Sequence, residues 1–372
     1  MNIKKKISNR LPLLLSTKIK KDKILVIESD DWGSVRTSSK QSYSTLLNKG
    51  YPVDKNPYVK NDSLERNVDI EGLANLLLEV RNSHNQHPII TLNNVVGNPN
   101  FEMIKKGNYK TYYNEPFYET YDRYSSCDKS FGLLKDGVND GLFYPQFHGR
   151  EHVNVKRWMN SLQNQEQHSL DAFEEEMFSV PWSNNRSYPN EYLDSFDFDS
   201  KEQFYEQEEI FKEGFDLFQD IWGFKSQSFI ANCYIWHPEL EKLAYDVGVK
   251  YFQGLVNQFI PSDKGYRKKY HYTGQKSKAG ITYLVRNSFF EPTSYPHLDW
   301  IDETLYRINL AFKFNVPAIL STHRVNFIGA LSERNRTENL KTFEIILKKV
   351  VKTWPEVRFM HSSDLGNILK EN

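Results

Sequence analysis

Apolar residues along the chain fall into short runs that alternate with longer stretches of helical periodicity. KILVIESDD (23–31) is an apolar run that ends in acids, and HPIITLNNVVGNP (87–99) repeats this pattern. Both are typical of strands buried in a parallel sheet. IEGLANLLLEVRN (70–82) lies between them and carries apolar residues at helical spacing. The order strand, helix, strand predicts a right-handed βαβ unit.

The same alternation continues to the end of the chain. The later apolar runs predict strands at residues 141–147, 228–236, 250–256, 281–292, 316–323 and 357–360. The later amphipathic stretches predict helices at residues 153–162, 206–223, 237–249, 300–313 and 337–354. About seven such units favour a barrel over an open sheet. The fold class we predict is therefore α/β, a distorted (β/α) barrel of parallel strands with loop insertions.

Two stretches interrupt the alternation. Residues 101–140 are rich in Tyr, Asn, Asp and Lys, and residues 164–205 are acidic and aromatic. Neither has a clear period, so both are expected to be insertions of irregular loops and short helices. The predicted organisation is a basic leader at 1–22 followed by a single domain at 23–370 that carries these insertions.

Charge narrows the functional classes. Lys and Arg number 48, as do Asp and Glu, so no overall charge draws the chain to nucleic acid. The leader, MNIKKKISNRLPLLLSTKIKKDK, is basic, and its apolar run at 11–15 is too short for a signal-peptide core or a membrane span. It is expected to be a solvated tail or a basic helix on a membrane surface. With only two cysteines, a cytoplasmic protein without disulfides is expected.

Three predicted strand ends carry side chains that can bind metals. Asp30 and Asp31 follow KILVIES, His148 follows GLFYPQF, and His323 follows VPAILST. In a barrel the carboxyl ends of the strands meet on one face. His152 lies four residues after His148, so on a helix both imidazoles would face one side. Two histidines and one carboxylate form an open metal-binding set that leaves positions for water and substrate.

These segments, taken in order, resemble the polysaccharide deacetylase family, the carbohydrate esterases with a NodB homology region. ESDDWG (28–33) approximates the family's first motif, Thr-Phe-Asp-Asp-Gly. HGREH (148–152) is similar to its His-Ser/Thr-x-x-His motif, and ILSTH (319–323) to its late strand ending in Leu-x-His. The resemblance extends over most of residues 23–370, which would then be the catalytic domain.

The resemblance implies a metal-dependent deacetylase that hydrolyses an N-acetyl or O-acetyl group of a sugar or glycan intermediate in surface-polysaccharide synthesis. It implies that Asp31, His148 and His152 hold one divalent ion, with zinc expected first and cobalt, nickel, manganese or iron as alternatives. Asp30 would be the general base and His323 the general acid.

The family's Arg-Pro-Pro motif has no counterpart in SFIANCYIWHP (228–238), where it is expected. Other residues near predicted strand ends would then form the substrate pocket, and those we expect to contact the acetylated sugar are Trp32, Asn232, Trp236, Arg286 and Glu291.

Two acidic residues and several further histidines lie near the predicted site in the sequence. Glu291 and Asp299 are candidates to orient Arg286 or His323. The remaining histidines, including His237 and His297, are expected to be structural, although His237 could border the site.

Two other functions stay open. HGREH also fits His-x-x-Glu-His, the inverted zinc-peptidase motif, in which Glu151 would be the base and both histidines would lie within one helix. A catalytically silent relative that binds a glycan or a partner glycosyltransferase is the second alternative. Metal binding without hydrolysis of any acetylated sugar would favour the silent relative.

Overall fold

The computed structural model describes residues 10–20, 22–182, 190–262 and 265–371. Part of the leader and part of the second predicted insertion lie outside these residues. The strands are β1 (Ile24–Trp32), β2 (Ile90–Asn94), β3 (Gly97–Pro99), β4 (Asn114–Pro116), β5 (Phe143–Phe147), β6 (Ser228–Phe229), β7 (Tyr251–Gly254), β8 (Asn257–Ser262), β9 (Gly265–Tyr270), β10 (Thr282–Val285), β11 (Ser288–Phe289), β12 (Ala318–His323) and β13 (Arg358–Met360).

Helices connect and cover these strands. The α-helices are residues 10–15 and Lys40–Asn48, Pro57–Asn61, Asn67–Glu79, Phe101–Lys106, Phe117–Tyr121, Ser130–Asn139, Val155–Gln163, Gln167–Glu174, Lys201–Trp222, Pro238–Val247, Trp300–Lys313, Glu333–Thr353 and Ser362–Glu371. The short 3₁₀ helices are Val53–Lys55, Asn232–Tyr234 and Arg324–Asn326. Among the described residues, no helix combines the length and the apolar character needed to cross a bilayer.

A curled parallel sheet forms the centre of the protein, in the order β10–β7–β6–β5–β2–β1–β12–β11, with β13 beside the start of β1. Every described pairing within this sheet is parallel. The predicted α/β class and parallel sheet are confirmed. The number of units stays a prediction, because β10 and β11 belong to one segment and β13 pairs only with β1.

One extended segment joins the two edges of the sheet. β10 and β11 lie at opposite edges, yet only Arg286 and Asn287 separate them along the chain. The Arg286 amide donates to the Gly254 carbonyl in β7 (2.9 Å), and the Asn287 amide donates to the Ile319 carbonyl in β12 (3.1 Å). The single strand predicted at 281–292 is therefore two short strands, and the change of partner between them links the sheet's edges.

The core lies between the sheet and its covering helices. Residues 24–27 of β1 are completely buried, as expected for a strand covered on both faces. The helix Asn67–Glu79 buries Ile70, Leu73 and Leu77 at the three- and four-residue spacing of one face. The helix Glu333–Thr353 buries its own apolar face in the same cluster. The predicted periodicities thus identify the elements that build the core.

Some elements differ from prediction. The helix expected at 206–223 begins at Lys201, because the Ser200 side chain accepts from the Gln203 amide and caps it, and it ends at Gly223 with a φ of 77°. The strand expected at 228–236 is only two residues long and is followed by the 3₁₀ helix Asn232–Tyr234. The antiparallel hairpin of β8 and β9 was not predicted, because its second strand is polar and exposed.

The leader is not a free tail over its described part. Leu13 is only 5% exposed and belongs to the main core cluster, whereas Leu11, Leu14 and Leu15 are 55%, 58% and 55% exposed. The Thr17 amide also donates to the Thr273 carbonyl (2.9 Å). The helix at residues 10–15 is therefore anchored by one leucine. Contact of the leader with a membrane surface stays a prediction.

We expect Leu13→Ala to lower the free energy of unfolding by about 2 to 5 kcal/mol, because it removes a buried leucine side chain. Leu14→Ala makes the same chemical change at an exposed position and should cost less than about 0.5 kcal/mol. Urea denaturation of the two variants measures the difference. Equal, small effects would show that the leader does not pack on the domain in solution.

Candidate metal centre

Two adjacent aspartates end β1 in different environments. In the parallel register Asp30 is paired with His323 of β12. Glu28 and Asp30 lie on the same face of the strand and are buried, as the two-residue period of a strand requires. Between Ser29 and Trp32 the register with β2 shifts, and Asp31 has a φ of 75°. This left-handed conformation is unfavourable for a residue with a Cβ. Together with the irregularity in the strand, it turns the Asp31 side chain away from the groups that surround Asp30.

The two histidines of HGREH lie on a loop between β5 and the helix Val155–Gln163. Gly149 has a φ of 116°, a conformation that favours glycine, and it turns the loop directly after His148. The expectation that one helical turn brings His148 and His152 together is therefore wrong. The loop does bring them together: the Nε2 atom of each ring lies 3.3 Å from Asp31 Oδ1.

The chemistry of these three side chains fits a divalent cation. His148 Nδ1 lies 2.9 Å from the Ile230 carbonyl, which can only accept, so Nδ1 donates and the neutral ring carries a lone pair on Nε2. In this form of the ring, the lone pair would face a carboxylate oxygen 3.3 Å away, and a cation between the two atoms would stabilise that arrangement. The donor atoms of Asp31, His148 and His152 all lie within 4.8 Å of one another. Ligands about 2.0 Å from a tetrahedral zinc ion would be about 3.3 Å apart, which matches the distance from Asp31 Oδ1 to each of the two Nε2 atoms.

Asp30 is held by a buried arginine. Arg286 Nη1 and Nη2 donate to Asp30 Oδ2 and Oδ1, each at 2.6 Å, and Arg286 Nε donates to Glu28 Oε2 at 2.6 Å. Asn93 Nδ2 adds a bond to Asp30 Oδ1 at 2.7 Å. Burial alone would raise the pKa of Asp30, but the Arg286 guanidinium lowers it to about 2. Asp30 is therefore an oriented anion at neutral pH.

His323 is held by a different carboxylate. Its Nδ1 lies 2.6 Å from Glu291 Oε1, and its Nε2 lies 3.6 Å from Asp30 Oδ2. Asn326 Nδ2 donates to the other oxygen of Glu291 at 2.9 Å. Burial lowers the pKa of His323, but Glu291 and then Asp30 outweigh it and raise the pKa to about 10. The imidazole is therefore positively charged at neutral pH.

These groups border one cavity of about 200 Å³. It is lined by Asp30, Asp31, Arg36, Tyr58, His148, His152, Leu193, Ile230, Ala231, Cys233, Tyr234 and His323. The structure therefore brings together all five residues predicted for metal binding and acid–base chemistry. Their roles stay predictions, because proximity alone does not test them.

Several residues of the cavity wall were missed by sequence reasoning. Cys233 and Tyr234 both have a positive φ, 55° and 58°, which no apolar pattern reveals. Tyr58 did have a signal: Asn56 caps a short helix by accepting from the Tyr58 amide (3.0 Å), and Pro57 occupies the first helical position. Arg36 follows Asp31 by five residues in the loop after β1 and carried no signal of its own.

None of the five residues predicted to contact the substrate is among those that line this cavity. Trp32 is 1% exposed and donates to Ser29 Oγ (2.9 Å), so it belongs to the core. Trp236 is buried and donates to Glu241 Oε1 (3.0 Å). Asn232 is also buried, with its Nδ2 3.4 Å from His148 Nε2.

Arg286 and Glu291 contact Asp30 and His323, as described above, and neither lines this cavity. Glu291 was expected either to contact the substrate or to orient Arg286 or His323, and its contact with His323 is the one that an orienting role requires. Asp299 does not: its side chain accepts from the Asp302 amide and caps the helix Trp300–Lys313.

The inverted zinc-peptidase arrangement is not formed. Arg150 Nε and Nη2 donate to the two carboxylate oxygens of Glu151, both at 2.6 Å. Glu151 does not line the cavity, and the two histidines do not share a helix. Because its candidate base is held in an ion pair elsewhere, this alternative loses its chemical basis.

No protein-family model and no curated protein matches this chain. Among solved structures, a probable polysaccharide deacetylase from Pseudomonas aeruginosa PAO1 is 9% identical, with 94% of this chain and 91% of that chain aligned and a TM-score of 0.47. The α-amylase AmyC from Thermotoga maritima is 8% identical, with 93% and 74% aligned and a TM-score of 0.42. A 4-alpha-glucanotransferase from Thermococcus litoralis is 8% identical at a TM-score of 0.44, and the alignment covers 92% of this chain but only 40% of that one. All three TM-scores are low, so these likenesses do not bear on function.

We expect the purified protein, after reconstitution, to hold about one divalent ion per chain, as a three-ligand site does. His148→Ala and Asp31→Ala should each lose it, because each removes one of three donors. His297→Ala, which removes an exposed histidine, should retain it. Elemental analysis of the four proteins measures this. Retention of the ion by Asp31→Ala would show that the aspartate is not a ligand.

Proposed function

We propose that this protein is a metal-dependent hydrolase that removes an acetyl group, in the first instance an N-acetyl group, from a sugar or glycan intermediate of surface-polysaccharide synthesis. One observation carries the proposal: the set Asp31, His148 and His152 borders the same small cavity as an ionised Asp30 and a protonated His323. Zinc is the first choice of metal because it favours such open sites with three protein ligands. O-acetyl groups are the alternative substrate.

Asp31, His148 and His152 would hold the ion. When bound there, a divalent metal supplies Lewis acidity, which lowers the pKa of water and polarises an acyl carbonyl. His148 is oriented for this role because its Nδ1 lies against the Ile230 carbonyl, which leaves Nε2 as the ring atom that faces Asp31.

Asp30 would accept the proton that water loses as its oxygen bonds to the acyl carbon. The two bonds from Arg286 fix the orientation of the carboxylate and keep it ionised. They also make Asp30 a weak base, so the proton would not remain there. His323 Nε2 lies 3.6 Å away, and once it has given its own proton to the leaving amine it would be the group that takes up the proton from Asp30.

His323 would donate a proton to the departing amine as the C–N bond breaks. Glu291 binds Nδ1 and leaves Nε2 as the ring atom that faces Asp30. The proton lost by water and the proton gained by the amine balance, and the products are a free amino sugar and acetate. The assignment of Asp30 as base and His323 as acid follows the resemblance to the polysaccharide deacetylases, and the charge states of the two residues support it.

We expect the metal-loaded protein to release acetate from at least one acetylated sugar. Asp30→Asn and His323→Ala should each lower kcat/KM by about 10² to 10⁴-fold, the usual contribution of a general base or acid. Both should keep their metal, and His297→Ala should keep full activity. Acetate release from N-acetylated and O-acetylated sugars, free and nucleotide-linked, measures this. Metal binding with no release from any of these compounds would contradict the proposal and favour a silent glycan-binding protein.

We also expect Glu291→Gln to move the alkaline limb of the pH profile of kcat/KM to lower pH. Glu291 raises the pKa of His323, so without its charge the imidazole loses its proton at a lower pH and the acid form is lost earlier. The control is Asp299→Asn, the same change of acid to amide at the other predicted partner, and it should leave the profile unmoved. An unchanged alkaline limb in Glu291→Gln would mean that Glu291 does not set the protonation of the catalytic acid.

A further inference from the structure

Arg36 lines the cavity of the candidate metal centre and is its only Arg or Lys among the described residues. Its Nε atom is buried and has no hydrogen-bond partner among the described residues. Its guanidinium carbon lies 5.9 Å from the centre of the Tyr58 ring, a cation–π distance. The described residues also offer no carboxylate within ion-pair distance of Arg36, so the charge of this half-buried side chain has no ion-pair partner among them.

Two completely buried arginines, Arg286 and Arg324, show which kind of partner Arg36 lacks. Arg286 binds Glu28 and Asp30, and Arg324 binds Asp62 and Glu65 at 2.7 to 3.2 Å. Each guanidinium therefore meets two carboxylates. Of the side chains that the structure does not describe, only those of Asp263 and Glu371 are acidic, so the undescribed part of the chain offers few partners.

The acidic side chains around Arg36 either contact other residues or border another cavity. The charge of Asp30 is matched by Arg286, and Asp31 is shared between the two histidines. Glu191 lines a second cavity of about 550 Å³, which adjoins the first because Tyr58 lines both. Burial raises the pKa of Glu191, although Arg36 opposes this. Arg36 thus remains a positive charge directed at a space of ligand size.

We propose that Arg36 binds an anionic group of the substrate, so that the acetylated sugar acted on by this protein carries a phosphate or a carboxylate; this presupposes the deacetylase function proposed above. A guanidinium binds either group through two parallel hydrogen bonds. The substrate class is then an acidic sugar derivative and not a neutral glycan. The anion would also fix the sugar in the cavity, which adjoins the larger, more open one beyond Tyr58.

The test is an equilibrium binding measurement by calorimetry on the full-length, metal-loaded protein. The probes are N-acetylglucosamine, which is neutral, N-acetylglucosamine 6-phosphate and N-acetylmuramic acid, which carries a carboxylate. The proteins are wild type, Arg36→Gln, Arg36→Lys and Arg334→Gln, a matched loss of an exposed arginine far along the chain whose partner is Glu338. Metal content is equalised, because the ion would attract anions in every variant.

Wild type is expected to bind one acidic sugar at least about 10-fold more tightly than the neutral sugar, in line with a charge-assisted hydrogen bond. Arg36→Gln should lose that preference and leave the affinity for N-acetylglucosamine within about threefold. Arg36→Lys should retain part of the preference, since lysine keeps the positive charge but lacks the two parallel N–H donors of a guanidinium. Arg334→Gln should behave as wild type. Whichever acidic sugar shows the preference identifies the anion as phosphate or carboxylate.

Two results would overturn the inference. One is a wild type that binds acidic and neutral sugars equally, which needs no variant and so does not depend on Arg36→Gln folding. The other is an Arg36→Gln protein that keeps the preference or loses affinity for all three sugars alike. Acetate release from neutral sugars without any preference would refute this inference and leave the proposed function intact. A preference for an acidic sugar that depends on Arg36, without acetate release from any sugar, would support anion binding by Arg36 and refute the proposed function.

Discussion

Arg286 is completely buried at the point where the chain passes from β10 to β11, and its guanidinium binds Glu28 and Asp30 of β1. An unpaired cation in such a place would cost several kcal/mol, and removing one partner of a buried ion pair costs about 3 to 5 kcal/mol. The position of the segment between β10 and β11 and the position of Asp30 therefore both depend on the ion pairs of Arg286 with Glu28 and Asp30. Because the segment that links the two edges of the sheet also supplies the arginine, the fold and the candidate site cannot be altered independently here.

Separate partners give the two adjacent aspartates separate chemistry. Asp30 faces the interior and is held by Arg286, whereas Asp31 turns toward His148 and His152 at a left-handed residue. Neighbouring carboxylates with different surroundings can take different roles in one reaction, as the two carboxylates of lysozyme do. The charge of His323 depends on a third carboxylate, Glu291, contributed by the segment just after β11. Asp30 and His323 thus each have a partner of opposite charge, whereas Asp31 meets only the two histidines and Arg36 has no ion-pair partner among the described residues.

Much of the site could be predicted because it lies where apolar strands end. Asp30, Asp31, His148 and His323 each follow such a strand, and parallel strands bring their carboxyl ends to one face whatever the loops do. The alternation of periods likewise predicted the parallel sheet and the helices that cover it. The histidine loop was predicted in the wrong conformation, since the four-residue spacing was interpreted as a helical turn although Gly149 sits inside it.

The cavity wall depends on tertiary contacts that no local pattern encodes. Tyr234 and Cys233 face the cavity because two successive residues adopt left-handed conformations, and the neighbouring Trp236 turns into the core. Arg286 was expected to contact the substrate, but it binds the carboxylates of Glu28 and Asp30. That contact depends on how the segment from β10 to β11 lies against β1, which the sequence around Arg286 does not reveal. These are interactions between segments more than 200 residues apart in the chain.

The proposed function depends on the binding of one metal ion by Asp31, His148 and His152, beside Asp30. X-ray absorption spectroscopy of the zinc-loaded protein tests it most directly, since it reads the ligands without relying on activity. We expect nitrogen and oxygen ligands at about 2.0 Å with outer-shell scattering from two imidazoles. His152→Ala, which removes one of the three donors, should not retain this zinc. A sulfur ligand at about 2.3 Å, which would point to Cys233 of the same cavity, or a shell without imidazole scattering would contradict it.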